Sequence, residues 1–291
     1  MEYTLENDDL VVQMEEKGAE LSSLFSKRDG VELLWQGEGT SWKARSPILF
    51  PVVGGLPGGG YRLGGKYYPM GNHGFLKDRT FTLIQQSADR CSFAIESDDS
   101  SMALYPFKFS FQVDYTLAGS TLSVGFKVTN TGSIVLPFSV GAHPGFRCPH
   151  LASERFEDYY LEFEKLENVD RRFKRNGLLC GERGVFLRNS KRVFLDYELF
   201  DRGAVILEGF RSEWVQLGSR NHDRVIRVSF PGFPYLGIWT SKDRESFVCI
   251  EPWYGIDSSD NDGSRDFTEK EGLRFLPGGE CFNCSYSIAV Q

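Results

Sequence analysis

Apolar and polar residues alternate along two consecutive stretches in the first half of the chain. Every second residue from Phe109 to Leu117 is apolar, the residues between them are polar, and Ala118–Ser120 interrupts the run. The alternation resumes from Leu122 to Val128 and stops at Asn130–Ser133. A period of two is typical of a strand with one buried face, so the two stretches predict a β-hairpin.

Shorter alternating runs recur along the chain and set the expected fold class. They lie at Cys91–Ile95, Tyr159–Phe163, Ile226–Phe230 and Phe282–Val290. No segment carries apolar residues at the spacing of an amphipathic helix, so helices should be few and short. No linker, low-complexity tract or repeat divides the 291 residues. We therefore expect an all-β protein in which residues 1–291 form a single large β-sandwich domain.

The stretch Phe247–Gly255 joins a predicted strand to a carboxylate. Alternation places Glu251 on the same face as Phe247 and Cys249, whereas Val248 points to the other face. Glu251 thus ends a face that otherwise looks buried. An ionised carboxylate that is buried without a partner is costly. Either a cation satisfies Glu251 structurally, or the residue meets a ligand in a cleft.

Composition and charge exclude several classes of partner. The net charge is −7 and no cluster of Lys and Arg stands out, which argues against binding to nucleic acid. The acidic start, Met1–Leu10, has no apolar signal region, and no apolar run approaches the ~20 residues that a membrane span needs. The six cysteines are scattered along the chain, as expected for reduced thiols. These features predict a cytoplasmic protein that binds no membrane.

Two short motifs approach the spacing of known ion or phosphate sites. Cys281 and Cys284 are spaced as a metal-binding pair, but on a strand their sulfur atoms face opposite ways and no second pair is present. Gly60–Lys66 has the spacing of a phosphate loop, but Tyr67 stands where Ser or Thr must bind magnesium. The sequence therefore predicts neither a bound metal nor a nucleotide cofactor.

The four histidines differ in their sequence context. His73 and His143 are each flanked by glycines, which allow a ligand or a backbone segment to approach closely. Each is either an acid–base group presented to a ligand or a turn residue bonded to backbone carbonyls. His150 and His222 lie in polar stretches and are expected to be exposed.

Five ordered blocks of sequence carry a wider resemblance. They are Arg45–Pro51 (RSPILFP), His73–Phe75 with Asp78, Gly141–Phe146 (GAHPGF), Phe233–Trp239 (FPYLGIW) and Glu251–Gly255 (EPWYG). In this order the blocks resemble the aldose 1-epimerase (galactose mutarotase) family, and more narrowly its LacX-like branch. The segments Gly18–Leu24 and Glu32–Trp35 are similar to the start of family members, so the resemblance covers nearly the whole chain.

The resemblance implies a galactose mutarotase-like β-sandwich. It also implies an isomerase, without metal or cofactor, that interconverts the α and β anomers of a hexose-like aldose. In the family a glutamate takes the proton of the C1 hydroxyl while a histidine protonates the ring oxygen. By resemblance Glu251 is the base and His143 is the acid. The residues expected to contact the monosaccharide are Arg45, His73, Asp201, Trp239 and Trp253.

Three alternatives stay open on the sequence. A phosphorylated hexose as substrate would need further basic residues in the site, for which Arg147, Arg62 and Lys77 are candidates. The same fold could also serve a non-catalytic sugar-binding or regulatory protein. A glycoside hydrolase would use two carboxylates, such as Glu251 and Asp201, although the matched partner of the glutamate is a histidine.

Overall fold

The computed structural model describes residues 1–291 and consists mainly of β-strands. The strands are β1 Glu2–Glu6, β2 Leu10–Glu15, β3 Leu21–Ser26, β4 Val31–Glu32, β5 Ile48–Leu49, β6 Gly60–Leu63, β7 Lys66–Pro69, β8 Thr82–Gln86, β9 Arg90–Glu96, β10 Phe109–Ala118, β11 Thr121–Asn130, β12 Leu136–Phe138, β13 Val140–Ala142, β14 Gly145–Arg147, β15 Tyr159–Arg175, β16 Leu178–Phe194, β17 Val205–Glu208, β18 Trp214–Ser219, β19 Val225–Ser229, β20 Tyr235–Trp239, β21 Phe247–Tyr254, β22 Arg274–Leu276 and β23 Cys281–Val290.

Helical structure is limited to short pieces, which confirms the prediction of an all-β protein with few short helices. The α-helix α1, Asp99–Leu104, has six residues and begins at a capping box formed by Asp98 and Ser101. Short 3₁₀ turns lie at Pro57–Gly59, Leu76–Asp78, Phe156–Asp158, Tyr197–Phe200, Asp262–Ser264 and Phe267–Glu269. None of these helices has the length and apolar character that crossing a bilayer requires.

Fifteen strands form one antiparallel sheet that folds back on itself. Its order is β5-β13-β21-β20-β17-β15-β18-β19-β23-β11-β10-β9-β8, with β14 paired to β21 and β16 paired to β15. Phe50, next to β5, and Phe111, in β10, lie near opposite ends of this order, yet their ring centroids are 5.2 Å apart. The two halves therefore face each other, and an apolar core of 63 buried residues joins them, as in a β-sandwich.

The hairpin predicted from alternation is confirmed as β10 and β11. The two strands pair from Phe109 opposite Asn130 to Ala118 opposite Thr121. The two residues that link them include Gly119, whose φ of 51° lies in the left-handed region that glycine adopts without strain. The apolar residues of both strands are buried and the polar residues between them are more exposed.

The hairpin of β15 and β16 is much longer than the run Tyr159–Phe163 that alternation predicts. Each strand has 17 residues, and the pairing register shifts four times between Glu162 and Lys174. Each shift changes the face to which the following side chains point, so the period of two is lost in the sequence. The tip of this hairpin is held near the loop after β21, where the N–H of Leu179 donates to the carbonyl of Ser258 over 2.9 Å.

The expectation that His150 is exposed is wrong. Its exposed fraction is 8%, and its ring stacks on that of His222 with centroids 5.9 Å apart. Burial lowers the pKa of His150 to about 3. The side chain of His222 is 18% exposed and its Nε2 lies 3.4 Å from the carboxylate of Glu154. Polar neighbours in the sequence do not reveal this burial, because residues distant along the chain produce it.

Candidate active site

Strand β21 and its partners place a histidine opposite a glutamate. Strand β13 pairs with β21 so that Gly141 lies opposite Trp253, and β14 pairs with β21 in the same register. Two residues further along each strand, His143 falls opposite Glu251. The ladder is interrupted here because Pro144 has no backbone N–H to donate.

His143 and Glu251 form a buried pair. Nε2 of His143 lies 3.1 Å from Oε2 of Glu251, and the two side chains are 8% and 2% exposed. Burial raises the pKa of Glu251 well above its usual range. Burial, and then the neighbouring His73, lowers the pKa of His143 well below its usual range. Both shifts disfavour the doubly protonated and the doubly deprotonated pair, so the pair holds one proton over a wide pH range.

His73 is held as a neutral hydrogen-bond donor. The N–H of Gly54 donates to Nδ1 of His73 over 3.1 Å, so Nδ1 carries no proton and the ring proton is on Nε2. Burial, assisted by the charges of Lys174 and Lys77, lowers the pKa of His73 to about 3. Its ring centroid is 5.4 Å from that of His143. A neutral Nε2–H donor therefore stands beside the buried pair.

A cavity of about 300 Å³ opens beside the pair, which is at the small end of the range for small-molecule sites. The residues that line it are Trp42, Asn72, His73, His143, Lys174, Gly203, Ala204, Trp239, Glu251, Trp253 and Asp257. They come from the loop before β5, the loop after β7, the gap after β13, the tip of the β15–β16 hairpin and the residues just before β17. The remaining ones come from β20, from β21 and from the loop that follows β21.

Tryptophans form flat apolar walls around these polar groups. Trp42 and Trp239 meet edge to face with ring centroids 5.5 Å apart. Trp253 lies across the neighbouring strands, where a Cβ added to Gly141 or Gly237 would come within 2.7 Å or 2.4 Å of its indole ring. The two glycines thus leave the space that the indole occupies. Flat aromatic surfaces next to polar groups suit a ligand with both an apolar face and hydroxyls.

A second charged pair, formed by Asp257 and Lys174, lies in the cavity wall. Asp257 is 1% exposed, and its Oδ1 accepts from the N–H of Gly55 over 2.8 Å and from Nζ of Lys174 over 2.8 Å. Lys174 belongs to the tip of the β15–β16 hairpin, and Asp257 follows the end of β21 by three residues. The contact between that tip and the Ser258 segment brings the two side chains together.

Five of the seven residues that the sequence proposes for the site line this cavity. They are Glu251, His143, His73, Trp239 and Trp253. The two aromatic residues belong to β20 and β21, so they share the sheet with the glutamate. The family resemblance implied the gathering of Glu251, His143 and His73, whereas the two tryptophans were proposed because an aromatic ring can stack on the apolar face of a sugar.

The other two proposed residues lie outside the cavity lining. Nη1 of Arg45 lies 2.7 Å from the carboxylate of Glu15, and the backbone N–H of Arg45 donates to Glu20 over 2.7 Å. Asp201 is exposed at the end of the Tyr197–Phe200 turn. The carboxylate that does face the cavity beside the buried pair is that of Asp257.

Six lining residues were missed in the sequence. They are Trp42, Asn72, Lys174, Gly203, Ala204 and Asp257, of which Trp42, Lys174 and Asp257 bring a large or charged side chain. Asp257 is the next acidic residue after Glu251, which is a signal that could have found it. Trp42 lies near Arg45 and precedes the RSPILFP block. Lys174 stands in the run Asp170–Arg175 (DRRFKR), which is charged at five of six positions and gives no indication that one of its side chains turns inward.

One group of side chains has donor atoms close enough together to bind a metal ion. The donor atoms of His143, Cys249 and Glu251 lie within 4.8 Å of one another, and all three residues are buried. Zn²⁺ binds nitrogen, sulfur and oxygen donors at about 2.0–2.3 Å, so modest inward movements would bring the three onto one ion. Both His143 and Glu251 would then be ligands of the ion and could not exchange a proton with a substrate.

The fold and site define a class of protein, a β-sandwich with a buried histidine–glutamate pair in a small aromatic-walled cavity. The chain belongs to the aldose 1-epimerase family, whose sequence profile matches residues 1–264. The predicted family and the galactose mutarotase-like fold are thereby confirmed. Membership implies a sugar as the substrate class and isomerisation as the general reaction class.

Individual relatives agree with this assignment. The protein LacX encoded on the chromosome of Lactococcus lactis subsp. lactis is 36% identical over 286 residues, which cover 95% of each chain. A crystal structure of a galactose mutarotase related enzyme from Lactobacillus acidophilus is 31% identical, with a TM-score of 0.95, over 100% of this chain and 97% of that one. A galactose mutarotase-like protein from Lactobacillus casei is 32% identical with a TM-score of 0.93 over the full length of both chains.

Proposed function

We propose that the protein is an aldose 1-epimerase that interconverts the α and β anomers of a hexose-like aldose. The observation that carries this proposal is the His143–Glu251 pair, which places an acid and a base 3.1 Å apart on the wall of a cavity of sugar size. Opening a cyclic hemiacetal needs one group that removes the hydroxyl proton and one that protonates the ring oxygen. The two atoms concerned are both bonded to C1, so a close pair suits them.

The proposed reaction moves protons without net gain or loss. Glu251 as carboxylate accepts the proton of the C1 hydroxyl, and the C1–ring oxygen bond breaks as a carbonyl forms at C1. His143 as imidazolium donates its proton to the departing ring oxygen. Rotation about the bond between C1 and C2 exposes the other face of the aldehyde. Closure reverses both transfers and restores the starting protonation of the pair.

The single proton of the pair is what permits this cycle. The reactive form, a carboxylate with an imidazolium, has the same number of protons as the neutral form that burial favours. Movement of one proton between Glu251 and His143 interconverts the two forms, and a sugar hydroxyl that donates to the carboxylate would favour the charged one. The Nε2–H of His73 adds a donor that can hold a sugar oxygen.

The aromatic walls support a sugar rather than a more polar ligand. The side chains of Trp42, Trp239 and Trp253 can cover the C–H faces of a pyranose ring while its hydroxyls meet His73 and the buried pair. Such packing fixes the ring so that C1 lies against the two proton-transfer groups.

Polarimetry tests the proposal. Freshly dissolved α-glucose, α-galactose and a panel of other aldoses are followed with and without the protein, and the rate in buffer is subtracted. We expect faster approach to the equilibrium rotation for at least one aldose. No acceleration for any member of the panel would refute an epimerase, whereas saturable binding without acceleration would favour a non-catalytic sugar-binding protein.

A further inference from the structure

One oxygen of Asp257 has no hydrogen-bond partner although it is buried. Oδ1 is satisfied by the N–H of Gly55 and by Nζ of Lys174, but Oδ2 accepts no hydrogen bond. The residue is 1% exposed and lines the cavity. Leaving a buried acceptor unpaired costs about 1–3 kcal/mol, and more for a charged group, so a carboxylate oxygen in this position indicates a donor that arrives with a ligand.

Lys174 offers complementary donors at the same place. Its Nζ makes one hydrogen bond, to Asp257, although an ammonium group has three N–H donors. Its side chain is 23% exposed, and the residue lines the cavity. Nζ lies 2.8 Å from Oδ1 of the carboxylate whose Oδ2 is free. The free acceptor and the free donors thus belong to neighbouring groups and match two neighbouring sugar hydroxyls, because each hydroxyl both donates and accepts.

Two successive glycines fix the position of Asp257 relative to His73. The N–H of Gly54 donates to His73, and the next N–H, that of Gly55, donates to Asp257. A Cβ on Gly54 would lie 2.3 Å from Cγ of Asp257, so the close approach requires glycine. The backbone therefore fixes Asp257 as an acceptor and His73 as a donor on adjacent parts of the cavity wall.

The charges of the cavity disfavour an anionic ligand. Lys174 contributes the one Lys or Arg side chain of the lining, and it is paired with Asp257, so no unpaired cation is left to receive a phosphate. The basic residues that a phosphosugar would need are committed elsewhere. Arg147 pairs with Glu38, Arg62 donates to the Gly65 carbonyl, and Lys77 donates to the carbonyls of Asn72 and Gly74.

We propose that Asp257 and Lys174 form the specificity-determining subsite, which binds two adjacent hydroxyls away from C1 of an unphosphorylated aldose. The inference rests on the proposed function, since it assigns C1 to Glu251 and His143. Asp257 accepts from one hydroxyl through Oδ2, and Lys174 donates to its neighbour. Sugars that lack either hydroxyl, or that carry a phosphate, are bound less tightly than the parent aldose.

The test measures sugar binding without turnover. Glu251→Gln protein is titrated with glucose, galactose, their 2-, 3-, 4- and 6-deoxy derivatives and glucose 6-phosphate, and the fluorescence of the cavity tryptophans reports Kd. Asp257→Asn and Lys174→Gln are each added to this background. Asp8→Asn is the matched control, because it makes the same change in an exposed residue outside the cavity. Thermal melts establish that each variant is folded.

We expect removal of one hydroxyl to weaken binding by about tenfold or more, the effect of losing one hydrogen bond to a charged group. Asp257→Asn should weaken binding of the parent sugar to a similar extent and should add little for the derivative that lacks the hydroxyl it binds. Lys174→Gln should likewise weaken binding of the parent sugar and add little for the derivative that lacks the neighbouring hydroxyl. Asp8→Asn should leave every Kd unchanged. Glucose 6-phosphate should bind more weakly than glucose.

Several outcomes would overturn the subsite. One is that Asp257→Asn weakens the binding of all sugars equally, or of none. Another is that glucose 6-phosphate binds more tightly than glucose. If Asp257→Asn does not fold, Lys174→Gln still tests the subsite. That variant must weaken binding of the parent sugar while adding little for one deoxy derivative. Coupling in a protein that fails to accelerate anomer exchange would leave the subsite intact while refuting the epimerase. Acceleration of anomer exchange by a protein whose variants show no coupling to any hydroxyl would support the epimerase and refute the subsite.

Discussion

Replacing Glu251 with glutamine tests the proposed base with little disturbance of the fold. The side chain is 1% exposed, and glutamine has nearly the same shape, so the tryptophan walls should stay in place. The new amide can still donate to Nε2 of His143, which lies 3.1 Å from the carboxylate. The change removes the ability to accept a proton and keeps the volume of the side chain, so the shape of the cavity is preserved.

The expected loss follows from the role assigned to the pair. General acid–base catalysis contributes about 10²–10⁴-fold to rate, equivalent to about 2.7–5.5 kcal/mol of activation free energy. We expect kcat of Glu251→Gln to fall by about this factor, and His143→Asn to fall comparably. Since the two groups exchange one proton within a single step, the double variant should lose little more than either single variant.

Polarimetry gives kcat for these variants, and tryptophan fluorescence gives Kd, which should change little in Glu251→Gln. A variant that keeps more than about a tenth of wild-type kcat would refute Glu251 as the base. Losses that multiply in the double variant would show that the two residues act independently, and would refute the shared-proton argument.

The same substitution has a signed effect on stability. A carboxyl whose pKa is raised by folding stabilises the protein fully below its usual pKa, and that contribution is lost as pH rises through the raised value. Burial raises the pKa of Glu251, and glutamine has no such loss. The Tm of Glu251→Gln relative to wild type should therefore increase from pH 4 toward alkaline pH. A constant difference would contradict the assigned shift.

Four further predictions concern the pH profile, two glycines, zinc inhibition and the number of domains. Because burial lowers the pKa of His143 and raises that of Glu251, kcat/KM should be level through neutral pH; a fall with an apparent pKa near the ordinary imidazole value of 6.5 would contradict this. Gly54→Ala should destabilise the fold by at least about 1 kcal/mol through left-handed backbone strain and also weaken sugar binding. Gly58→Ala, with a similar φ of 64° and nothing within 4 Å of the added Cβ, should cost stability only, and equal binding losses would refute the contact with Asp257. Zn²⁺ should inhibit reversibly, with recovery on chelation and weaker inhibition of the Cys249→Ser variant; equal inhibition of both would exclude the thiol as a ligand. Residues 1–291 should unfold in a single calorimetric transition, and two resolved transitions would contradict one domain.

Much of the fold could be predicted from the sequence, because period-two alternation survives wherever a strand keeps one register. The β10–β11 hairpin shows this, and so does β21, where Val248 and Ile250 join the main core while Phe247 and Cys249 pack with Trp35. Alternation failed along β15 and β16, because each bulge changes which face the next residues occupy. The hairpin that carries Lys174 was therefore recognised only at its first five residues.

The sequence by itself determined the strand content, the family and the direction in which Glu251 points. It could not determine which of several similar side chains reach the cavity. Arg45 is bound by Glu15, and Asp201 faces solvent, whereas Lys174 and Asp257 meet inside. Only the tertiary structure decided this, because a charged side chain pairs with groups that folding brings near it. Those groups lie up to 202 residues away in the chain, as Gly55 does from Asp257.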